Sequence, residues 1–327
     1  MRVLVTGGAG YIGGFTVHTL LAAGHAVVVY DNLSAGHRPA VPAGVLRVGD
    51  LADADRLDHL LTVERVDAVI HFAASCYVGQ SVTDPAAYYR NNVANTLTLL
   101  ERVRRHGVTR VVFSSTCATY GVPQAVPIAE GHPQLPVNPY GNTKLAVERM
   151  LADYAPAYGL GVAALRYFNA AGAAADGTRG EDHTPETHLI PLALQVALGR
   201  RPHLDVFGTD YPTPDGTCVR DYVHVEDLAD AHLRALGAVE PGTFKAWNVG
   251  TGRGSSVRQV VRTCEEVSGR PIAVREGPRR AGDPPELVAA ADRIRRNLGW
   301  EAKYPTLRQI VETAWAWHRR HPNGYAG

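Results

Sequence analysis

The chain has 327 residues, with 33 lysines and arginines against 32 aspartates and glutamates and a formal net charge of +1. That length can bury a substantial core in one large or two modest domains. The balanced charge gives no reason to expect a nucleic-acid or membrane-surface partner, and the apolar runs are too short to span a bilayer.

Cysteine and histidine usage bears on the cellular compartment and on metal binding. The four cysteines are scattered, without the spacing of a zinc site or a disulfide framework, which favours reduced thiols. A β-branched run follows Met1 directly and leaves no room for a signal peptide, so we expect a cytoplasmic location. The 14 histidines are dispersed along the chain, and we expect no metal site.

A glycine-rich turn lies between a predicted strand, residues 2–6, and a helical pattern that stops at Gly24. The turn fits both Gly-x-Gly-x-x-Gly and Gly-x-x-Gly-x-x-Gly spacing, with Gly7, Gly8, Gly10 and Gly13. Without a Cβ atom these residues let the backbone approach a pyrophosphate, which the helix N-terminus attracts. The unit predicts a dinucleotide site, and we expect cofactor contacts from Gly7, Gly10, Tyr11, Ile12 and Gly13.

Asp31 ends the second predicted strand, 18 residues after Gly13. At this position a carboxylate accepts hydrogen bonds from the adenosine ribose hydroxyls and repels a 2′-phosphate, so NAD is favoured over NADP. The next residue, Asn32, is expected at the same place.

Further strands of the predicted parallel sheet end in polar or small residues. Ligands of such sheets bind outside the carboxyl ends of the strands. We therefore expect Asp50 and Leu51 near the adenine, and a flat part of the cofactor against the end of the buried strand 66–74. Strand 111–116 ends in hydroxyl side chains, and a long helix is predicted over residues 86–106.

Tyr140 and Lys144 form a pair on one face of a predicted helix that Asn138 caps and that has Pro139 in its first turn. A phenol, whose pKa is about 10, is a poor base near neutrality. A neighbouring ammonium and a helix N-terminus both favour the phenolate. Only three of the 33 basic residues are lysines, so this spacing argues for a functional pair.

The regular alternation of strands and helices loosens after Asn169, following a predicted strand over 161–168. We place the domain boundary there, with residues 1–169 as one domain and 170–327 as a second, and with elements near 222–250 returning to the first. Segments 217–222 and 278–283 carry arginines suited to phosphate.

Taken together, these motifs resemble the extended short-chain dehydrogenase/reductase superfamily and, within it, the nucleotide-sugar epimerases. The glycine turn and the Tyr140/Lys144 pair are typical of the superfamily. The similarity covers nearly the whole chain, and segments 165–169, 187–191, 210–213, 219–222 and 279–284 point to the epimerases. It implies an α/β fold with a doubly wound parallel (Rossmann) sheet, a smaller mixed α/β substrate-binding domain, and a homodimer through helices 86–106 and 139–158.

The resemblance also implies roles for residues. Tyr140 would be the catalytic base, Lys144 would hold the nicotinamide ribose and lower the phenol pKa, and Thr116 would bridge the sugar hydroxyl to Tyr140. Further residues at the NAD cofactor would be Asp31, Asn32, Asp50, Leu51, Phe72, Ala73, Ala74, Asn92, Ser114 and Tyr167. The UDP-sugar would contact Thr116, Asn169, His188, Leu189, Phe207, Arg220, Arg280, Asp283 and Leu287, with the two arginines on the diphosphate and Asp283 on the uridine ribose.

The implied reaction is the NAD-dependent 4-epimerisation of UDP-galactose and UDP-glucose. Tyrosinate takes the proton of the sugar 4-hydroxyl while C4 gives a hydride to NAD⁺. The 4-keto sugar then turns over with its UDP anchored, and the hydride returns to the opposite face.

At three positions this chain departs from the family pattern, and these affect the roles that the resemblance implies. Thr116 stands where many members have serine, and Cys76 where some have a lysine that contacts the cofactor. Leu287 stands where some have a bulky tyrosine, and a smaller wall would admit N-acetylated sugars.

Other functions remain open at this stage. An epimerase or decarboxylase for UDP-glucuronate, a UDP-pentose or a UDP-N-acetylhexosamine is an alternative, and so is a non-catalytic NAD-sensing regulator. A 4,6-dehydratase is set aside, because Cys117 and Ala118 cannot serve as its acid pair.

Overall fold

The computed structural model describes residues 1–280 and 282–325. Ala281, which belongs to the arginine segment 278–283, lies outside the described residues. Within the described ranges, no helix combines the length and the apolar character needed to cross a membrane.

Strands and helices alternate through the first half of the chain and become more irregular in the second. The strands are β1 (Arg2–Thr6), β2 (Ala26–Asp31), β3 (Leu46–Val48), β4 (Ala68–His71), β5 (Arg110–Thr116), β6 (Gly161–Tyr167), β7 (Asn169–Ala171), β8 (Leu204–Phe207), β9 (Val219–His224), β10 (Phe244–Val249), β11 (Gly254–Ser256), β12 (Val274–Gly277) and β13 (Glu286–Leu287). The α-helices are α1 (Tyr11–Ala22), α2 (Ala54–Glu64), α3 (Val78–Thr83), α4 (Pro85–Tyr88), α5 (Asn95–Arg105), α6 (Pro139–Tyr158), α7 (Leu189–Ala197), α8 (Val225–Gly237), α9 (Val257–Ser268), α10 (Asp292–Leu298) and α11 (Leu307–Arg320).

Seven parallel strands form the central sheet, in the order β10-β6-β5-β4-β1-β2-β3. The strand order reverses at β1: strands β2 and β3 lie on one side of it, and β4, β5, β6 and β10 lie on the other. Side chains alternate between the faces: Val3 and Val5 join one buried cluster and Leu4 the other. Because helices cover both faces, the inner strands are rich in buried apolar residues. The doubly wound α/β fold predicted from the sequence is confirmed.

The sequence predicts two long helices, one over residues 86–106 and one from Pro139 to Tyr158. The helix predicted from Pro139 to Tyr158 is present with those bounds. The helix predicted over 86–106 is divided: α4 leads into a π-helical segment, Tyr89–Ala94, before α5. Within the π segment, the side chain of Asn92 points inward, away from solvent.

The second half of the chain divides its elements between two places. Strand β10 pairs with β6 in the central sheet, and α8 packs against α1. By contrast, β9 pairs with β7, β11 and β13 in a separate small sheet. Helices α7, α9 and α11 share a third buried cluster. The boundary at residue 169 stays a prediction.

Candidate active site

The glycine turn follows β1 at the carboxyl edge of the sheet, next to the point where the strand order reverses. Gly7 has φ +69°, and a Cβ atom there would lie 2.5 Å from the backbone nitrogen of Ala73. A Cβ on Gly13 would overlap the carbonyl oxygen of Gly7. Helix α1 starts after Gly10 without a side-chain cap. Its first amide groups are therefore available to an anion, since a helix N-terminus carries unpaired N–H donors.

Asp31 lies at the end of β2, beside this turn, and is buried. Its carboxylate accepts hydrogen bonds from the backbone N–H of Ala9 at 3.0 Å and of Leu33 at 2.8 Å. Burial raises the pKa of Asp31, and the two amides act in the opposite direction. The carboxylate is thus fixed next to the loop, as its predicted contact with a ribose requires.

Other predicted cofactor residues follow the ends of β3 and β4. Asn32 donates from Nδ2 to Asp50 at 2.7 Å, which joins the ends of β2 and β3. Leu51 is buried directly after Asp50. The ring of Phe72 lies 4.6 Å from that of His232 on α8. The residues that follow Phe72 are Ala73 and Ala74.

Asn92 has a structural task that the sequence pattern did not reveal. Its amide donates to the carbonyl oxygen of Ser75 and to the hydroxyl of Thr143, both at 3.0 Å, and accepts from the N–H of Ser75 at 2.8 Å. The residue therefore ties the loop after β4 to the first turns of α6, and so fixes the position of Tyr140.

Helix α6 begins where the sequence predicts, because Asn138 accepts a hydrogen bond from the N–H of Gly141 at 2.9 Å. Lys144 lies one turn after Tyr140, and its side chain is 3% exposed. Its Nζ donates to the carbonyl oxygen of Ser114 at 2.9 Å. Burial lowers the pKa of Lys144 to about 8.

Tyr140 is partly accessible at the start of α6, next to Thr116. We expected a lowered phenol pKa, and for the protein groups alone this is wrong. Burial, together with Cys76 and Tyr167, raises the pKa of Tyr140 well above its usual value, and the hydroxyl of Thr116 only partly opposes this. The main reason is the burial of the phenol, which disfavours its charged form.

The end of β5 supplies the remaining polar groups. Thr116 is paired in register with Tyr167 on β6, and the hydroxyls of Ser114 and Tyr167 are hydrogen-bonded. Thr116 is buried, and its hydroxyl accepts from the N–H of Ala118 at 3.2 Å. Three predicted residues on two strands thus lie beside Tyr140.

A buried charged network behind this site was missed in the sequence. Glu148 lies one turn after Lys144 on α6 and forms a salt bridge of 2.6 Å with Arg166 of β6. Glu148 also accepts a hydrogen bond from Ser115, and Arg166 donates to the hydroxyl of Tyr120 at 3.0 Å. The available signal was the spacing of Glu148, on the same helical face as Tyr140 and Lys144.

The predicted nucleotide-binding arginines come together with Asp283. Arg220, on β9, is paired with the carboxylate of Asp283. The guanidinium of Arg280 lies 4.1 Å above the ring of Phe207, at the end of β8. Arg279 is occupied elsewhere, because its Nε donates to Asp210 at 2.7 Å.

Leu287 and Asn169 belong to the small sheet that β9 forms with its neighbours. Leu287, on β13, is in register with Arg220 and packs in a cluster that contains Cys117 and Phe168. Asn169 is in register with Tyr222 in the small sheet. Asn169 follows by two residues the Tyr167 that is paired with Thr116, and Leu287 packs against the cluster of Cys117, the residue after Thr116.

His188 and Leu189 start α7. The backbone of His188 caps this helix, and its Nδ1 lies 2.9 Å from carboxylate oxygens of both Glu181 and Glu186. Its imidazole is thus held by acidic neighbours. Leu189 packs against the third buried cluster.

Comparison with known proteins assigns the family. The profile of the NAD dependent epimerase/dehydratase family matches residues 3–250. A UDP-glucose 4-epimerase of Halalkalibacterium halodurans is 51% identical over 100% of this chain and 98% of its own length. The crystal structure of UDP-glucose 4-epimerase from Brucella ovis in complex with NAD is 53% identical, with a TM-score of 0.92 over 96% of this chain and 97% of that one.

A third relative differs in its substrate range. The structure of the UDP-Glc/GlcNAc 4-epimerase from Campylobacter jejuni is 41% identical, with a TM-score of 0.85 over 98% of this chain and 99% of that one. All three matches extend over almost the full length of both proteins. The chain described here belongs to the NAD dependent epimerase/dehydratase family.

Proposed function

We propose that this chain is a UDP-glucose 4-epimerase that uses NAD to interconvert UDP-galactose and UDP-glucose. The observation that carries the proposal is the placement of the phenol of Tyr140 beside the hydroxyl of Thr116, at the sheet edge that holds the glycine turn. The names and extents of the relatives agree with it.

The residues at the sheet edge fit NAD. The close backbone approach at Gly7 and Gly13 leaves no space for side chains, and the uncapped start of α1 suits a pyrophosphate. Asp31 would hold the adenosine ribose, and Lys144 the nicotinamide ribose. When bound, NAD⁺ supplies hydride acceptance at the sugar C4 and, once reduced, hydride return.

Tyr140 would take the proton of the sugar 4-hydroxyl, with Thr116 holding that hydroxyl in line. The protein groups alone keep the phenol protonated at neutral pH. Lowering the pKa of an ordinary phenol from about 10 to 7 requires about 4 kcal/mol of stabilisation of the phenolate. The burial of Tyr140 adds to this requirement. The positive end of α6, the ammonium of Lys144 and the cationic ring of bound NAD⁺ would supply the stabilisation together.

Arg220 and Arg280 would hold the UDP diphosphate while the oxidised sugar turns. Guanidinium groups bind phosphate oxygens in a bidentate way, so two of them anchor the nucleotide and leave the sugar free to rotate. Arg220 is preformed for this task by its pair with Asp283. The guanidinium of Arg280 is held in place by a cation–π contact with the ring of Phe207.

The test is to incubate the purified chain with UDP-galactose and to measure UDP-glucose formation by a coupled assay. We expect turnover without added reductant, because the hydride is returned in each cycle. Stoichiometric binding of NAD without turnover of any UDP-sugar would contradict the proposal and favour a regulator.

A second substrate class, the UDP-N-acetylhexosamines, is supported by Leu287. This side chain packs against the cluster that contains Cys117, the residue after Thr116, and Phe168. A leucine occupies less space there than a tyrosine would. We therefore propose that the pocket also admits UDP-N-acetylglucosamine. The test is incubation with this sugar nucleotide under conditions where UDP-glucose reacts, and failure to form its 4-epimer would contradict the proposal.

We further propose a homodimer through the helical stretch 86–106 and α6, and a cytoplasmic location. Tyr89, Leu97 and Tyr158 are large apolar side chains exposed along these helical stretches. Burying them in a helical interface between two copies would remove this exposure. Light scattering should give twice the chain mass, and Leu97→Glu should shift it to the monomer. The free cysteines fit a reducing compartment.

A further inference from the structure

Two histidines and two glutamates converge in the segment between β7 and α7. They are Glu181, His183, Glu186 and His188, and one potential ligand atom of each lies within 4.8 Å of all the others. None of the four takes part in the proton transfer proposed at Tyr140, although the family resemblance implies that His188 contacts the UDP-sugar. Glu181 is buried, and the side chain of His183 is largely covered.

The distances within this cluster match those around a tetrahedral ion. Nδ1 of His183 lies 3.3 Å from an oxygen of Glu181 and 3.6 Å from one of Glu186. Nδ1 of His188 lies 2.9 Å from an oxygen of each glutamate. Zinc–ligand bonds of about 2.0–2.2 Å in a tetrahedron place neighbouring ligand atoms about 3.3–3.6 Å apart. The separations of His183, 3.3 and 3.6 Å, fall in this range, and those of His188, 2.9 Å, are shorter.

His183 points to a missing partner at the centre of the cluster. Its Nδ1 is closed off from solvent, yet it makes no hydrogen bond to the residues that the structure describes. Buried polar atoms are nearly always satisfied, so an atom that faces two carboxylates without a hydrogen bond needs another explanation. A cation bound to Nδ1 and to both carboxylates would satisfy all of them.

Charge and donor type favour a zinc ion over calcium or magnesium. Two carboxylates and two neutral imidazoles carry a net charge of −2, which a divalent ion neutralises. Imidazole nitrogen suits zinc and its neighbours in the first transition row, whereas calcium and magnesium prefer oxygen donors alone. With four protein ligands, the ion would have no open position, which is the arrangement of a structural site.

The surroundings indicate what such an ion would stabilise. Residues 172–188 contain no helix or strand, although the segment joins β7 to α7. The segment contacts the cofactor side through Tyr11, whose hydroxyl donates to the carbonyl oxygen of Gly172 at 2.6 Å and whose ring lies 6.2 Å from that of His183. It contacts α11 through Trp317, whose Nε1 donates to the carbonyl oxygen of Glu181 at 3.0 Å. Cross-linking it would hold α1, α7 and α11 together.

We propose that Glu181, His183, Glu186 and His188 bind one zinc ion as a structural site. This inference does not depend on the epimerase function. The prediction from the sequence that the chain has no metal site would then be wrong, because the compact pattern Glu-x-His-x-x-Glu-x-His was overlooked among the 14 histidines.

The first experiment measures metal content. The chain is produced without a histidine tag, purified without chelator, and analysed by inductively coupled plasma mass spectrometry and native mass spectrometry. We expect about one zinc ion per chain. His183→Gln and Glu186→Gln should lose most of it. His203→Gln is the matched control, because His203 also pairs with a carboxylate, that of Asp205 at 3.5 Å, but outside the cluster.

The second experiment measures stability and coordination. A strong chelator should lower the Tm of the wild-type chain and of His203→Gln by several degrees, and zinc should restore it, since an ion that binds only the folded state stabilises it. The Tm of His183→Gln should not respond. Cobalt exchanged into the wild-type chain should show the visible absorption of a four-coordinate ion.

The overturning result concerns the wild-type chain, so it is obtained even if the variants fold poorly. Wild-type protein that carries no stoichiometric metal after growth and dialysis with zinc, and whose Tm ignores chelator, would contradict the proposal. The four side chains would then be a self-contained cluster of ion pairs. Equal metal loss in His203→Gln would also contradict it, since the metal would then be held elsewhere.

Discussion

The ammonium of Lys144 is bound to the backbone carbonyl oxygen of Ser114 at 2.9 Å, and its position is therefore set by the central sheet. Lys144 and Tyr140 both belong to α6, and strand β5 fixes the position of the Lys144 ammonium through the carbonyl group of Ser114. The ammonium has no carboxylate partner among the hydrogen bonds and ion pairs of the described residues. The cation thus stays buried beside the proposed cofactor site.

The burial of Lys144 should appear in the pH dependence of stability. Its pKa is lowered to about 8 in the folded chain, against about 10.4 for an unfolded lysine. Between these values the unfolded state binds more protons, so the contribution of Lys144 to the free energy of unfolding rises with pH, by at most about 3 kcal/mol. Urea unfolding should show this rise between pH 8 and 10 in the wild-type chain relative to Lys144→Met. A bound cationic nicotinamide would lower the pKa further in the same direction. A pH-independent difference between the two proteins would contradict the assigned burial.

Removing the phenol hydroxyl of Tyr140 should abolish most of the turnover and leave the fold intact. General acid–base groups contribute about 10²–10⁴-fold to a rate, so kcat of Tyr140→Phe for UDP-galactose should fall by that factor. Its NAD content and Tm should stay near those of the wild-type chain. Tyr304→Phe is the control, because it removes a phenol hydroxyl that is hydrogen-bonded to Glu226 at 2.8 Å, outside the proposed active site and dimer interface. Full activity in Tyr140→Phe would exclude the proposed base.

The glycine turn should reject even one methyl group. In Gly13→Ala, the new Cβ would overlap the carbonyl oxygen of Gly7, and backbone cannot move aside as a flexible side chain can. We expect at least tenfold weaker NAD binding, measured by titration of nucleotide-free protein. Gly79→Ala is the control, because a Cβ there meets nothing within 4 Å. Equal affinity in the two variants would show that the turn does not hold the pyrophosphate.

Removing only one partner of the buried ion pair between Glu148 and Arg166 should destabilise the fold more than removing both. Their side chains are 3% and 6% exposed, and removing one partner of such a pair leaves an uncompensated charge, at a cost of about 3–5 kcal/mol. Arg166→Met should therefore lower the free energy of urea unfolding by that amount. Combining it with Glu148→Gln should recover part of the loss.

An exposed ion pair provides the comparison for Glu148 and Arg166. Arg308 and Glu266 are about half exposed, and Arg308→Met should change the free energy of unfolding by no more than about 1 kcal/mol. Similar losses in Arg166→Met and Arg308→Met would mean that burial of the inner pair has no energetic consequence.

Local signals predicted the elements of the central sheet and the start of α6. The glycine turn, the apolar strands and the Asn138 cap each act within a few residues, and such signals are visible in one sequence. The Glu148–Arg166 pair was missed, because its partners lie on a helix and a strand that meet only after folding. The cluster of Glu181, His183, Glu186 and His188 is local in the sequence, but the spacing alone does not show that the four side chains converge. The direction of the Tyr140 pKa failed because spacing along a helix does not reveal how deeply the folded chain buries the phenol.

Leu287 should control which sugars the site accepts. It packs with Cys117 and Phe168 beside the strand that carries Thr116, so a larger side chain would narrow this side of the pocket. We expect Leu287→Tyr to lower kcat/KM for UDP-N-acetylglucosamine by at least tenfold, while the value for UDP-galactose changes by less than about threefold, because a steric clash acts only on the bulkier 2-acetamido sugar. Val63→Tyr, at an exposed position on α2, controls for the added ring and should change neither value. A parallel loss for both sugars would instead assign Leu287 to the common architecture of the site, and no loss for either would place it away from the sugar.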